Sequence, residues 1–134
     1  MVAGMFERGS VPALEAMLRF ASARHRVIAA NVAHAETAGY RARDLRVDAF
    51  REALARAFEG ARRSPTGVFE APRLDLSPVP AADAGPLKEN GNNVDLDTEM
   101  GRMVRNATVH QTAASLLAHQ FAMMREAVAE RVFG

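Results

Sequence analysis

The residues in this chain best able to do chemistry are four histidines, at positions 25, 34, 110 and 119. His25 and His110 each fall on the repeating face of a long helical pattern, so they could face each other. Two imidazoles and a carboxylate can hold a metal ion. No carboxylate lies on either face, however, and the spacing H-E-x-x-H is absent. A closed metal site needs more ligands than these. Polar residues on such a face ordinarily set the register of the helices at some loss of stability. The serines at 10, 22, 64, 77 and 115 lack the G-x-S-x-G context of an activated nucleophile. Asp95, Asp97 and Glu99 cluster where a helix begins, and capping explains them better than acid–base work. The run "NGNNVDLD" lacks the alternating order and closing Glu of a calcium loop and reads as a turn. There is no Gly-rich phosphate loop and no Cys. The expectation is a protein that is not an enzyme and carries no cofactor and no metal.

Charge narrows the partners. The net charge of +1 is too small to argue for nucleic acid. Arg41, Arg43 and Arg46 form a short basic strip, but Asp44 and Asp48 interrupt it, and a nucleic-acid face needs more. A solvated or partner-facing strip is the better reading. Residues 1–63 hold 11 basic and 7 acidic side chains, whereas residues 64–134 hold 6 and 9. The two halves therefore attract, within one chain or between copies. The start "MVAGMFERGS" has neither a basic head nor a long apolar run, so a cleaved secretory signal is not expected. No stretch approaches the roughly 18 apolar residues of a membrane span.

These 134 residues read as one mostly α-helical domain. The N-terminal helix is expected over 10–35, with Ser10 as its cap and Pro12 in its first turn. Leu14, Leu18, Ala21, His25, Ile28, Val32 and Ala35 then recur at steps of four and three, an a/d seam of three heptads. Gly39 stops the pattern, and 36–46 is a turn. A short helix over 47–60 carries Phe50, Leu54 and Phe58 on one face and ends near Gly60. Residues 61–93 form an irregular outer region, with short strands possible at "VFEA" and "RLDLS". Five of the six prolines fall between Gly60 and Asn93. A connection this long is usually functional or mobile. The C-terminal helix is expected over 94–132, with a seam of Met100, Met103, Ala107, His110, Ala114, Leu117, Phe121, Met124 and Val128.

The two seams can pair with each other as an antiparallel or coiled-coil-like bundle. The second carries the wider stripe, because Val104, Val109 and Leu116 extend it, which points to assembly with other copies or relatives or, alternatively, to an ordinary bundle closed by the middle helix. Each buried Leu, Met or Phe contributes roughly 1.5–3 kcal/mol, so an uncovered excess drives assembly. Long helices need packing to hold, so the ends of an isolated chain fray.

Two segments carry a resemblance. "AANVAHAETAGY" resembles the N-terminal signature of the flagellar rod and hook family, A-x-N-I-A-N-x-x-T-P-G-Y, matching at Asn31, Val32, Ala33, Thr37, Gly39 and Tyr40. "RARDL" and the C-terminal "GNNVDLDTEMGRMVRNATVHQ" are similar to the proximal-rod branch, matching at Gly91, Asn92, Asn93, Val94, Asp95, Leu96, Asp97, Glu99, Met100, Met103, Asn106 and Gln111. His34, Glu36, Ala38 and His110 depart from the pattern. Ala38 replaces a Pro that would bias Thr37 away from helix, so the helix is free to run a turn further.

The resemblance implies a structural subunit exported unfolded through the flagellar type III apparatus. It implies helical stacking into the periplasmic rod of the basal body, with terminal helices inside and the middle region outside. The implied partners are other copies, related rod proteins, the rod adaptor, the MS-ring and the export gate, without direct membrane insertion or nucleic acid. Within it, Asn31 and Thr37 would satisfy main-chain groups freed where the helix ends. Gly39 would supply an open dihedral, and Tyr40 would anchor the turn against a neighbouring helix. The rival expectation is a soluble helical adaptor or chaperone that binds one partner and stops.

Overall fold

The computed structural model describes residues 2–133, and side chains from Ser10 to Phe133. Two long helices pack antiparallel: α1 (Val2–Ala33) and α3 (Leu96–Phe133). Between them lie α2 (Val47–Arg63) and two very short strands, β1 (Arg43–Asp44) and β2 (Val79–Pro80). The fold is mostly helical, as the periodicity predicts, but several boundaries move.

The N-terminal helix starts at Val2, not at Ser10, and Pro12 lies inside it. Pro costs an interior helix one main-chain hydrogen bond. Ala3, Met5, Glu7 and Arg8 ahead of it are good helix formers, so the start expected at Ser10 and Pro12 is overridden. The middle helix passes Gly60 and ends three residues later, where the Ser64 N–H donates to the Gly60 carbonyl at 3.0 Å. At the head of α3, Asp95 is the cap. Its carboxylate accepts the Thr98 N–H at 3.2 Å and its carbonyl accepts the Glu99 N–H at 3.0 Å.

The strands form elsewhere than expected. Neither "VFEA" nor "RLDLS" is a strand; β1 pairs with β2 antiparallel, Arg43 opposite Pro80 and Asp44 opposite Val79. The 68–77 segment runs along α2 instead, held by side chains. Phe69 is buried against Phe58, ring centroids 4.9 Å apart, and Arg46 pairs with Asp75. Pro80 has no N–H to give a ladder and suits an edge position. Helix α2 buries no residue of its own and is tied to α1 by the stack of Phe50 on Phe20, 4.2 Å between centroids.

Of the first seam's positions, Leu14, Ala21, Ile28 and, just past the end of α1, Ala35 are buried, Leu18 and Val32 half-buried and His25 exposed, and Ala13, Ala16 and Phe20 are buried beside them. On α3 the seam is rotated. The buried residues are Glu99, Arg102, Asn106 and Ala113, each one position before Met100, Met103, Ala107 and Ala114. Met103, Ala114, Leu117 and Met124 are half-buried, while Met100, Ala107, His110, Phe121 and Val128 are exposed. Polar groups on α3 have partners on α1 that an apolar pattern does not reveal. Asn106 donates from Nδ2 to the Ala21 carbonyl at 2.8 Å, the bond that fixes how the helices slide. His25 is also exposed, so it and His110 do not meet across the pair.

This arrangement separates an inner from an outer face of α3. Ile28, 0% exposed, loses packing on truncation: Ile28→Ala should cost about 2–5 kcal/mol in urea unfolding. Met100→Ala, on the exposed face, should stay within about 0.5 kcal/mol. Equal losses at both positions would contradict the rotated packing.

Candidate functional site

The end of α1, the turn after it, β1 and the segment before α3 converge at one corner. Helix α1 stops at Ala33, and the chain continues through turns closed by Ala35 N–H to the Val32 carbonyl and Thr37 N–H to the His34 carbonyl. The additional turn of helix expected from Ala38 does not form. Asn92 takes the carbonyls that such a turn would use: its Nδ2 donates to both the His34 and the Thr37 carbonyls, each at 2.8 Å. Its Oδ1 accepts the Val94 N–H at 2.8 Å. Lys88 adds a positive charge at this helix end, its Nζ 3.3 Å from the Ala35 carbonyl.

Two other amides complete the stitching. Asn31, 0% exposed, holds both main-chain groups of Arg43. Its Nδ2 donates to the Arg43 carbonyl at 2.7 Å and its Oδ1 accepts the Arg43 N–H at 3.1 Å. The same Oδ1 accepts the Tyr40 hydroxyl at 3.0 Å. Asn93 Oδ1 accepts the Ala42 N–H at 2.6 Å, and the Asn93 N–H donates to the Tyr40 carbonyl at 3.4 Å. Gly39 and Gly91 face each other with φ of 74° and 82°, and the Gly39 N–H donates to the Asn90 carbonyl at 2.8 Å. Both need the left-handed conformation that glycine adopts freely. A small apolar cluster lies beneath: Ala35, Ala42 and Val94, flanked by Tyr40, Ala81 and Ala84.

A charged network closes the corner onto the helix pair. Arg24 of α1 forms a two-pronged bond to Asp44, both contacts at 2.9 Å. Arg102 of α3, 2% exposed, binds Glu99 at 2.6 Å, binds Asp83, and lies 3.6 Å from the same Asp44 carboxylate. Its guanidinium thus meets carboxylates from α3, from β1 and from the segment after β2. The Arg102 hydrogen bond pulls the Asp83 carboxyl below its usual range. Burial pushes the Tyr40 phenol above 10, with nearby Arg43 opposing and Glu99 adding to the rise.

The assembly-motif residues named from sequence divide accordingly. Asn31, Gly39, Tyr40, Asn92 and Asn93 lie within the stitching. Tyr40 reaches back to Asn31 of its own α1, not to a neighbouring helix, and its ring stacks on His34 with centroids 4.7 Å apart. Thr37 is exposed and its hydroxyl meets His34 Nδ1 at 3.1 Å. Ala33 and Asp97 are exposed, and Asp95 caps α3. Sequence reading missed the ion network. Arg102 and Glu99 sit on the turn of α3 that also carries Met100 and Met103, and nothing local marks Asp44 or Asp83 as their partners.

Two outcomes follow from this geometry. Asn92→Ala removes the second hydrogen bond at the His34 and Thr37 carbonyls and leaves the Val94 N–H without its partner, so it should destabilise by about 1–3 kcal/mol, more than Asn90→Ala, in thermal unfolding. The sole tyrosine should titrate above 10 by ultraviolet absorbance. Because its folded pKa is raised, the stability this neutral phenol contributes is present below pH 10 and is lost as pH rises through the folded value. A midpoint at or below 10 would contradict the buried placement.

No protein-family model matches the chain. It is similar to two curated proteins named flagellar basal body rod protein FlgB. The one from Borrelia hermsii is 30% identical over 112 residues, covering 75% of this chain and 81% of the relative. The one from Yersinia enterocolitica is 30% identical over 114 residues, covering 77% and 81%. With that identity spread over most of both lengths, the chain belongs to the FlgB family of flagellar basal-body rod proteins, structural components of the rod.

Proposed function

We propose that this chain is a subunit of the proximal rod, exported through the flagellar type III apparatus and built into a helical array through its terminal helices. The observation that carries this is the uncovered face of α3. Met100, Val104, Val109, Leu116, Phe121, Met123, Val128 and Val132 are all exposed, Val104 at 66% and Val128 at 61%. α1 leaves these residues uncovered on either side of the buried positions Glu99, Arg102, Asn106 and Ala113, so this apolar surface is available to helices of other subunits. Apolar surface of this extent, carried along 38 residues of helix, drives association.

The partners in this reading are further copies, related rod proteins, the rod adaptor, the MS-ring and the export gate, in the periplasmic part of the basal body. The role is structural, not catalytic. The polar side chains of the corner are engaged with main-chain groups and with one another, an arrangement that fixes shape. Among the described residues no helix is long and apolar enough to cross a membrane.

Val104→Asp combined with Phe121→Asp tests this reading, because neither position contributes to the α1–α3 core. The purified double variant should keep its helical circular dichroism. Cells carrying it should lose swimming, and the chain should be missing from isolated basal bodies. Normal swimming with the variant present in basal bodies would overturn the assembly role. A wild-type chain that forms only a closed complex with one partner would favour an adaptor.

A further inference from the structure

The segment from Val79 to Asp95 lies as a strap across the junction of α1, β1 and α3. The Ala81 N–H donates to the Ala42 carbonyl at 3.0 Å, Asp83 binds Arg102, and Asn92 and Asn93 grip the turn after α1. Beneath it lies the cluster of Ala35, Ala42 and Val94, apart from the α1 core residues Leu14, Ala21 and Ile28. We propose that the strap is an electrostatic latch, closed by Arg102 on Asp44, Asp83 and Glu99, which opens as a unit ahead of the α1–α3 pair when those carboxylates are neutralised.

The argument rests on how the two regions are held. Arg102 is a buried cation, and removing its counter-charges leaves it unpaired in a low-dielectric site, which is strongly destabilising. Every element packed at this point contributes a charged or titratable group: Arg24 from α1, Tyr40 from the turn, Arg43 and Asp44 from β1, Asp83 from the strap, Glu99 and Arg102 from α3. One Glu99 oxygen, Oε2, is buried without a hydrogen-bond partner. That carboxylate therefore joins the network through Oε1 alone, on Arg102. The helix pair is closed differently. Its described buried positions above the corner are Ala13, Leu14, Ala16, Phe20, Ala21, Ile28, Asn106 and Ala113, with one neutral bond from Asn106 to the Ala21 carbonyl. Acid discharges the first set of contacts and leaves the second untouched.

The sign is fixed by Asp83, whose folded pKa is lowered. The stability it contributes is present above the ordinary carboxylate value of 3.8 and is lost as pH falls through the folded value. Opening therefore belongs to the range below about pH 4, earlier where a carboxylate has been removed. Such independently opening units occur where local contacts differ in kind from those of the core.

The molecule carries its own reporter, since Tyr40 is the only tyrosine and there is no Trp. The full chain would be titrated from pH 7 to pH 2 with acrylamide quenching of Tyr40 fluorescence and far-ultraviolet circular dichroism read on the same samples. Tyr40 should become quenchable at a pH at least half a unit above that at which helix is lost, an interval expected from contacts that titrate in one region only. Asp83→Asn, which keeps the size of the side chain, should move the Tyr40 transition to higher pH and leave the helix transition in place. Coincident transitions in the wild-type chain, or a Tyr40 transition unmoved in Asp83→Asn, would overturn the latch. Should Asp83→Asn lose its helix at neutral pH, the strap would be integral to the pair and the proposal would also fall.

Discussion

Everything else in this molecule depends on three asparagine side chains that hold main-chain groups distant from them in the chain. Asn31 clamps the peptide of Arg43, while Asn92 and Asn93 reach back across more than fifty residues to the turn at 34–42. An amide is suited to this because it donates and accepts at once, and so can replace a missing helix or strand partner on both sides. A buried main-chain group without a partner is costly. Removing one asparagine therefore removes several hydrogen bonds together. The corner sets where α1 ends and where α3 begins, and through Asn106 and Arg102 it sets how the two helices slide past each other.

The consequence for function is a division of labour on α3. Its inner face spends polar and charged groups on the chain's own corner. Its outer face keeps Met100, Val104, Leu116, Phe121 and Val128 exposed. Had the helices paired through their most apolar faces, the molecule would bury its best adhesive surface in itself. The polar pairing leaves that surface outward while keeping the helix orientation defined. In the proposed assembly role, this combination would give a subunit whose shape is set internally and whose attraction is directed at neighbours.

The sequence made some of this legible. Heptad spacing located both long helices, and Phe50, Leu54 and Phe58 marked the middle one. Gly39 marked a chain reversal, and its φ of 74° shows why only Gly sits there easily. Ser10 and Pro12 misled because a local start signal was overridden inside a longer helix. The rotation of the α3 seam was hidden for a different reason. Periodicity counts apolar residues, whereas the α1-facing positions are Glu99, Arg102 and Asn106. Arg102 meets Asp44 and Asp83, and Asn106 meets the Ala21 carbonyl, partners far away in sequence. The two motifs at opposite ends were each visible, but their contact was not, because nothing in "TAGY" or "GNNVD" alone says that Gly39 will lie against Gly91.

Amide hydrogen exchange of the isolated chain at neutral pH would test most directly whether the corner is completed within one molecule. The account predicts that the N–H groups of Ala42, Arg43 and Val94, held by Asn93, Asn31 and Asn92, exchange at least ~100-fold slower than unstructured chain, alongside the centre of α1. Exchange at the unstructured rate in the single chain, with protection appearing only in assembled rods, would show that neighbouring subunits build the corner and would contradict it.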